Sequence, residues 1–198
     1  TGAMYRSVAL LAIEAGVSPE QHETVVALAR QHRIDFDWNC TPPRILLDER
    51  DVDARLRQTD VSEIVSRIAG IPELRTTMVD AQRAIAARHP RLVTEGRDQG
   101  SVVFPDAEVR FYLDADSGVR ATRRALEMRA RGENCDVEQI RRAIEARDES
   151  DRGRKDAPLT IPNGAIRIDT GELSVDEVVS ILIDHVREQC GSDFEGDS

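Results

Sequence analysis

The string "EGRD", residues 95–98, sets a guanidinium beside a carboxylate directly after a glycine. Arg97 offers a planar fork of N–H donors suited to phosphate oxygens. Asp98 offers acceptors suited to an amino group or a sugar hydroxyl. An ordinary surface pair of Arg97 with Asp98 would read the same way in four letters. A second string, "RDESDRGRKDAPL", follows a helical pattern in which Ile140 and Ile144 form the inward stripe. Continued in steps of three and four, that stripe reaches Arg147, Asp151 and Arg154, so an apolar face turns charged without changing direction. Such a face leaves the core and lines a cleft. A solvated Arg147–Asp151 pair at i, i+4 contributes only about 0.2–0.5 kcal/mol and needs no inward stripe.

Further arginines gather at 120, 123, 124, 129 and 131. Most are expected on a solvated helix face, with Arg123 and Arg124 as candidates to touch a second phosphate chain. Ser66 and Arg75 bracket "SRIAGIPELR" and by spacing alone carry no signal. The four histidines, at 22, 32, 89 and 185, assemble into no nucleophile–base constellation. Many arginines with few other reactive groups point to phosphoryl chemistry, which needs positioning and charge stabilisation more than a protein nucleophile.

These residues are set by an alternation of helices and short strands. Apolar spacing predicts helices over 3–15 and 19–33, with Gly16 ending the first and Ser18 and Pro19 capping and opening the second. "IDF" and "RILL" around a Pro-Pro turn predict a hairpin. Helices follow near 60–69 and from Pro72, the latter with Leu74, Met78, Ala81 and Ile85 on one stripe. "RLVT", "EVRFYL" (108–113) and "AIRID" (165–169) predict three parallel strands, with helices over about 116–131 and 136–152 between the last two. Ser174 and Glu177 form an S-x-x-E capping box before a final helix carrying Val178, Leu182 and Val186. The class is α/β. In such sheets ligands sit beyond the carboxyl ends of the strands, where "EGRD" falls.

Composition narrows the function classes. A net charge of −10 argues against general nucleic-acid binding, and 4% aromatics leave little for stacking single strands. Cys40, Cys135 and Cys190 are odd in number and far apart, which reads as free thiols in a reducing compartment. No His–Cys metal set, signal peptide or apolar run of membrane length appears, so a cytoplasmic protein without membrane partners is expected.

Five strings in order, "TGAMYR", "SRIAGIPELR", "EGRDQGSVVFPDAEVRFYL", "ARDESDRGRKDAPL" and "IRIDTGELSVDEVV", resemble the bacterial cytidylate (CMP) kinase family over essentially the whole chain. The resemblance implies a three-layer P-loop nucleoside monophosphate kinase fold. It implies a small acceptor-binding insert with a hairpin at about 34–58 and a lid at about 123–158, with an acidic tail over 191–198. It implies transfer of the ATP γ-phosphoryl group to CMP or dCMP by a monomer, with Mg²⁺. Carried over residue by residue, Ser66, Arg75 and Asp98 read the cytosine, and Arg147 and Asp151 hold the sugar. Arg6, Arg97 and Arg154 hold the acceptor phosphate, with Arg97 and Arg154 acting on the transferring group. Thr1 and Gly2 line the loop beside it. Ser150 and Gly153 depart from the family pattern, as does "QTDVSEIVSR" at the base-reading end.

The resemblance also implies a strand, a GxxxxGK[ST] loop, a helix and a second strand ahead of "TG". That string is absent from these 198 residues, whose one lysine is Lys155. The expectation is therefore a chain without its first strand, P-loop and second strand, unable to transfer phosphate as it stands. Two other readings fit parts of the pattern: a pyrimidine-nucleotide-binding module without chemistry, and a kinase of another acceptor, such as UMP or a shikimate-like alcohol.

Overall fold

Helix α1 (Gly2–Glu14) buries Met4, Val8 and Leu11, but also Ser7, Ala9, Leu10 and Ala12. A helix apolar over most of its girth belongs at the centre of its unit. In a computed structural model that describes residues 1–153 and 160–191, α1 is the axis of the first of two compact units, Thr1–Gly96; the second is Arg97–Ser198.

Around α1 pack α2 (His22–Gln31), the hairpin of β1 (Ile34–Asp37) and β2 (Arg44–Leu47), and α3 (Thr59–Ile68). Helix α4 (Pro72–Arg88) packs on α2. The second helix starts at His22 rather than at residue 19. The Ser18 hydroxyl donates to the Glu20 carboxylate and the Ser18 amide to Gln21 Oε1 at 2.9 Å, so this stretch is a turn. In the hairpin Ile34 faces Leu47 and Asp37 faces Arg44. The two-residue alternation sends Ile45 and Leu47 into the core. A strand not expected from the pattern, β3 (Arg50–Asp51), extends the sheet through a turn in which Asp48 and Glu49 take φ of 48° and 69°. Such a turn needs positive φ at both central residues. The Asp48 carboxylate holds it by accepting from the Arg33 amide at 2.8 Å and pairing with the His32 ring. On α3, Val61, Val65 and Ile68 are buried; on α4, Leu74, Met78 and Ile85 are, with Ala81 half-buried.

The second unit is built on a parallel pair, β4 (Phe111–Asp114) with β5 (Ile166–Asp169), in register Phe111 to Ile166 and Asp114 to Asp169. The chain between them forms α5 (Ser117–Ala130) and α6 (Val137–Arg152), packed on each other. Asp116 and Asp136 cap these helices, accepting from the amides of Gly118 at 2.7 Å and Glu138 at 2.9 Å. Helix α7 (Val175–Cys190) opens with the expected capping box of Ser174 and Glu177, and its Val178, Leu182 and Val186 are half-buried.

The expected three-strand sheet is not formed among the described residues. "RLVT" is not a strand and runs as irregular backbone, with Val93 94% exposed. A strand exists only through its hydrogen-bonded neighbour. The strand expected at 108–113 starts at Phe111, where pairing with Ile166 begins. The α/β class stands, with a two-stranded parallel sheet. Among the described residues no helix is long and apolar enough to cross a membrane.

One carboxylate fastens the hairpin to α4. Asp35 accepts from Arg33 at 2.6 Å and from Arg88 at 3.1 Å. Burial pushes its carboxyl up, but the Arg33 hydrogen bond, the Phe36 amide and the nearby arginine charges outweigh this and hold it below the usual carboxylate range. Its stabilising contribution is therefore complete above about pH 4, the unfolded value, and is lost as the pH falls through the lower folded value. The melting-temperature gap between wild type and Asp35→Asn, followed by circular dichroism, is expected to be constant near neutrality and to shrink in acid. A gap that does not change with pH refutes the anchor.

Candidate active site

Each unit carries its own share of the expected site residues. In the first, Arg6 projects from α1 toward α3: its guanidinium donates to the Leu56 carbonyl at 3.1 Å and to the Ser62 hydroxyl at 2.9 Å. Ser66 lies one helical turn beyond Ser62 and is exposed. Arg75, in the first turns of α4, donates to the carbonyl of Ala69 just past the end of α3, at 3.5 Å. Arg6, Ser66 and Arg75 thus border α3, and Ser62, which spacing did not single out, is what Arg6 grips. Thr1 caps α1, and its hydroxyl donates to the Glu95 carbonyl at 2.7 Å, tying the start of α1 to the segment before Arg97. A Cβ added at Gly2 would meet nothing within 4 Å, so local packing does not require glycine there.

In the second unit the charged face of α6 differs from the expected one in a single step. Past Ile144 the inward residue is Asp148, four positions on, and not Arg147, three positions on. Asp148 is 5% exposed and Asp151 2%, whereas Arg147 is exposed. The helix periodicity permits either step, and the apolar stripe could not choose between them. Both carboxylates occupy the final turns of α6, where the helix dipole already places negative charge.

Cations answer them. Arg97 pairs through Nη1 with Asp151 and through Nη2 with Asp148 Oδ1 at 3.6 Å. Arg120 of α5 reaches the other oxygen of Asp148 at 2.6 Å, while its Nε donates to the Ala115 carbonyl at 3.1 Å. Arg97 and Asp151 are therefore partners, a contact the sequence reading had not drawn. Asp98 follows at the head of a single π-helical turn, Gln99–Val103, with its carboxylate accepting from Gln99 Nε2 at 3.4 Å. Such turns often accompany functional sites.

Arg123 serves a different loop. Its guanidinium donates to the Thr170 hydroxyl at 3.3 Å and to the carbonyls of Thr170, Gly171 and Leu173 at 2.5, 3.4 and 3.2 Å, gathering the turn after β5. Arg124 pairs with Glu127 on the surface of α5 at 3.4 Å. Arg154 lies outside the described residues. Among the described residues no group of three or more His, Cys, Asp or Glu side chains is placed to hold a metal ion.

Taking Arg97 away from two buried carboxylates should cost more than its own exposure suggests. Arg97→Ala is expected to lower stability by about 1–3 kcal/mol, and Asp151→Asn in the same background to recover part of that loss. Urea unfolding of the single and double variants checks this. A loss within about 0.5 kcal/mol would place Arg97 among ordinary surface residues.

A family model described as cytidylate kinase matches residues 1–188 of this chain, a span that includes every candidate site residue. A cytidylate kinase of Caldanaerobacter subterraneus subsp. tengcongensis is 41% identical over 187 residues, covering 94% of this chain and 81% of the relative. One from Limosilactobacillus reuteri is 40% identical over 181 residues, covering 91% and 79%. Another, from Methylococcus capsulatus, is 37% identical over 187 residues, covering 94% and 83%. By a match that runs through both units, the chain belongs to the cytidylate kinase family.

Proposed function

We propose that this protein is a cytidylate kinase, transferring the γ-phosphoryl group of ATP to CMP or dCMP. The observation that carries the reading is the family match over residues 1–188, which includes the arginines and carboxylates around Arg97. In the reaction an oxygen of the acceptor phosphate forms a bond to the γ-phosphorus. The bond from that phosphorus to the bridging oxygen of ADP breaks, and ADP leaves with the electron pair. No protein nucleophile takes part. Charge on the equatorial oxygens has to be met by fixed donors, and guanidinium forks do this without reorganising.

Within this reading Arg97 meets the acceptor phosphate, and so do Arg6 and Arg154. Asp151 and Arg147 serve the ribose. Ser66, Arg75 and Asp98 serve the cytosine, whose exocyclic amino group is a donor that a carboxylate selects over the carbonyl of uracil. The same reading makes the fold a three-layer P-loop kinase, with the hairpin region 34–58 as acceptor-binding insert and 123–158 as lid. Thr1 and Gly2 line the loop beside the acceptor phosphate, Arg123 and Arg124 serve ATP, and the protein acts as a cytoplasmic monomer. Mg²⁺ accompanies ATP and neutralises its phosphates. Such ions commonly take only one or two carboxylates beside phosphate and water oxygens. Among the described residues no group of three or more His, Cys, Asp or Glu side chains is placed to hold the ion.

The test is turnover of CMP, dCMP and UMP by the natural gene product with ATP and Mg²⁺. CMP and dCMP are expected to be phosphorylated well ahead of UMP; absence of CMP turnover defeats the proposal. Asp98→Ala should narrow the preference for CMP over UMP by about tenfold or more, because a lost hydrogen bond to a discriminating group removes selectivity before it removes reactivity. Arg154→Ala is expected to lower kcat by about a hundredfold or more while changing the KM for ATP little. A variant with unchanged kcat removes Arg154 from the transferring group.

A further inference from the structure

Asp148 has no role in the reading above, yet it sits at the centre of the charged face of α6. Its two oxygens go to two different arginines: Oδ1 lies 3.6 Å from Arg97 Nη2 and Oδ2 2.6 Å from Arg120 Nη2. Arg120 is in turn held by the Ala115 carbonyl at 3.1 Å, and Ala115 directly follows β4. A continuous chain of charge-assisted contacts therefore runs from the carboxyl end of β4, through Arg120 and Asp148, to Arg97. The helices that carry it are joined a second time, one turn earlier, where the Ser117 hydroxyl donates to Glu145 at 2.7 Å.

One carboxylate on a guanidinium leaves the plane free to pivot about that contact. Two carboxylates on the two terminal nitrogens fix it. Asp151 and Asp148, three residues apart on α6, take Arg97 by Nη1 and Nη2 respectively. A carboxylate as buried as Asp148 is costly in a helix's final turns, and a packed apolar residue would serve stability at least as well. Its value lies in orientation. Arg97 keeps 38% of its side chain exposed, so it is held from behind and presented in front.

We infer that Asp148 is a positioning residue: with Arg120 behind it, it fixes the plane of the Arg97 guanidinium so that the acceptor phosphate meets a preoriented fork. The inference rests on the proposal that Arg97 binds that phosphate.

A double-mutant cycle tests it. CMP affinity is measured by calorimetry, and kcat/KM for CMP is measured at saturating ATP, for wild type, Asp148→Asn, Arg97→Ala and the double variant, each checked for folding by circular dichroism. Asp148→Asn is expected to weaken CMP binding and lower kcat/KM about tenfold when Arg97 is present, and to add nothing when Arg97 is already gone. Across the same variants the KM for ATP should stay within about twofold, whereas loss of folded protein would lower the active fraction and leave both KM values alone. Equal losses in both Arg97 backgrounds, or no loss in either, overturn the inference. Arg120→Gln, cycled against Arg97→Ala, carries the same test if Asp148→Asn does not fold, with a smaller effect of the same sign expected. Wild-type protein that binds CMP without phosphorylating it defeats the kinase proposal and leaves the binding cycle to decide on Asp148. Wild-type protein that does not bind CMP removes both.

Discussion

Two carboxylates buried at the wrong end of a helix constrain the whole second unit. Asp148 and Asp151 are nearly inaccessible, and both lie where the carbonyls of α6 already point their negative ends. An unpaired carboxylate in such a place would be strongly destabilising. The unit has little apolar mass with which to hold them by packing alone: among the described residues its buried hydrophobics are Val103, Ala121, Ala125 and Ile168. Arg97 and Arg120, arriving from two other segments, answer these carboxylates and set how the side chains at the end of α6 are oriented.

The first unit shows the contrasting solution. Leu10, Ile45, Leu47, Ile68, Leu74 and Met78 are all buried to within a few per cent in one continuous cluster around α1. Its polar site residues lie along the edge of that cluster, so their positions follow from helix packing. Arg6 is fixed by the Leu56 carbonyl, in the middle of the 3-10 turn Arg55–Arg57, and by Ser62. A substitution in this core would move Arg6 and Ser66 together, whereas in the second unit one lost charge would release a single side chain.

What could be read in the sequence follows from which interactions are local. Helix stripes, the Ser174–Glu177 capping box and the hairpin depend on neighbours within a few residues, and they emerged at close to their observed places. The turn at Asp48 and Glu49 did not, because its positive φ values are stabilised by His32 and Arg33, which lie fifteen or so positions earlier between α2 and β1. "RLVT" looked like a strand because its composition suits one, but strand character is a property of pairs. On α6 the error was a single residue. Counting three from Ile144 gives Arg147 and counting four gives Asp148. Only the arginines on α5 and at residue 97, distant in sequence, determine which of them turns inward. Side-chain chemistry singled out Arg97 and Asp98 without separating them from an ordinary surface pair; the pairing of Arg97 with Asp151 required the fold.

That pairing alters how the proposed roles of these two residues relate. Arg97 is proposed for a phosphate and Asp151 for a sugar, and the two are ion-pair partners of each other. A phosphate dianion offers the guanidinium more charge and a matching fork geometry, so it competes with Asp151 for the same donors. Every donor it takes leaves the Asp151 carboxylate with acceptor capacity, which a ribose hydroxyl can fill. Phosphate and sugar recognition are then thermodynamically linked through one ion pair, each favouring the other by the same factor. Asp148 shares Arg97 but not the sugar, so it can keep the guanidinium in place while Asp151 changes partner. A single carboxylate could not both hold the arginine and release it, which gives a physical reason for two acidic residues to stand three apart on the inner face of α6.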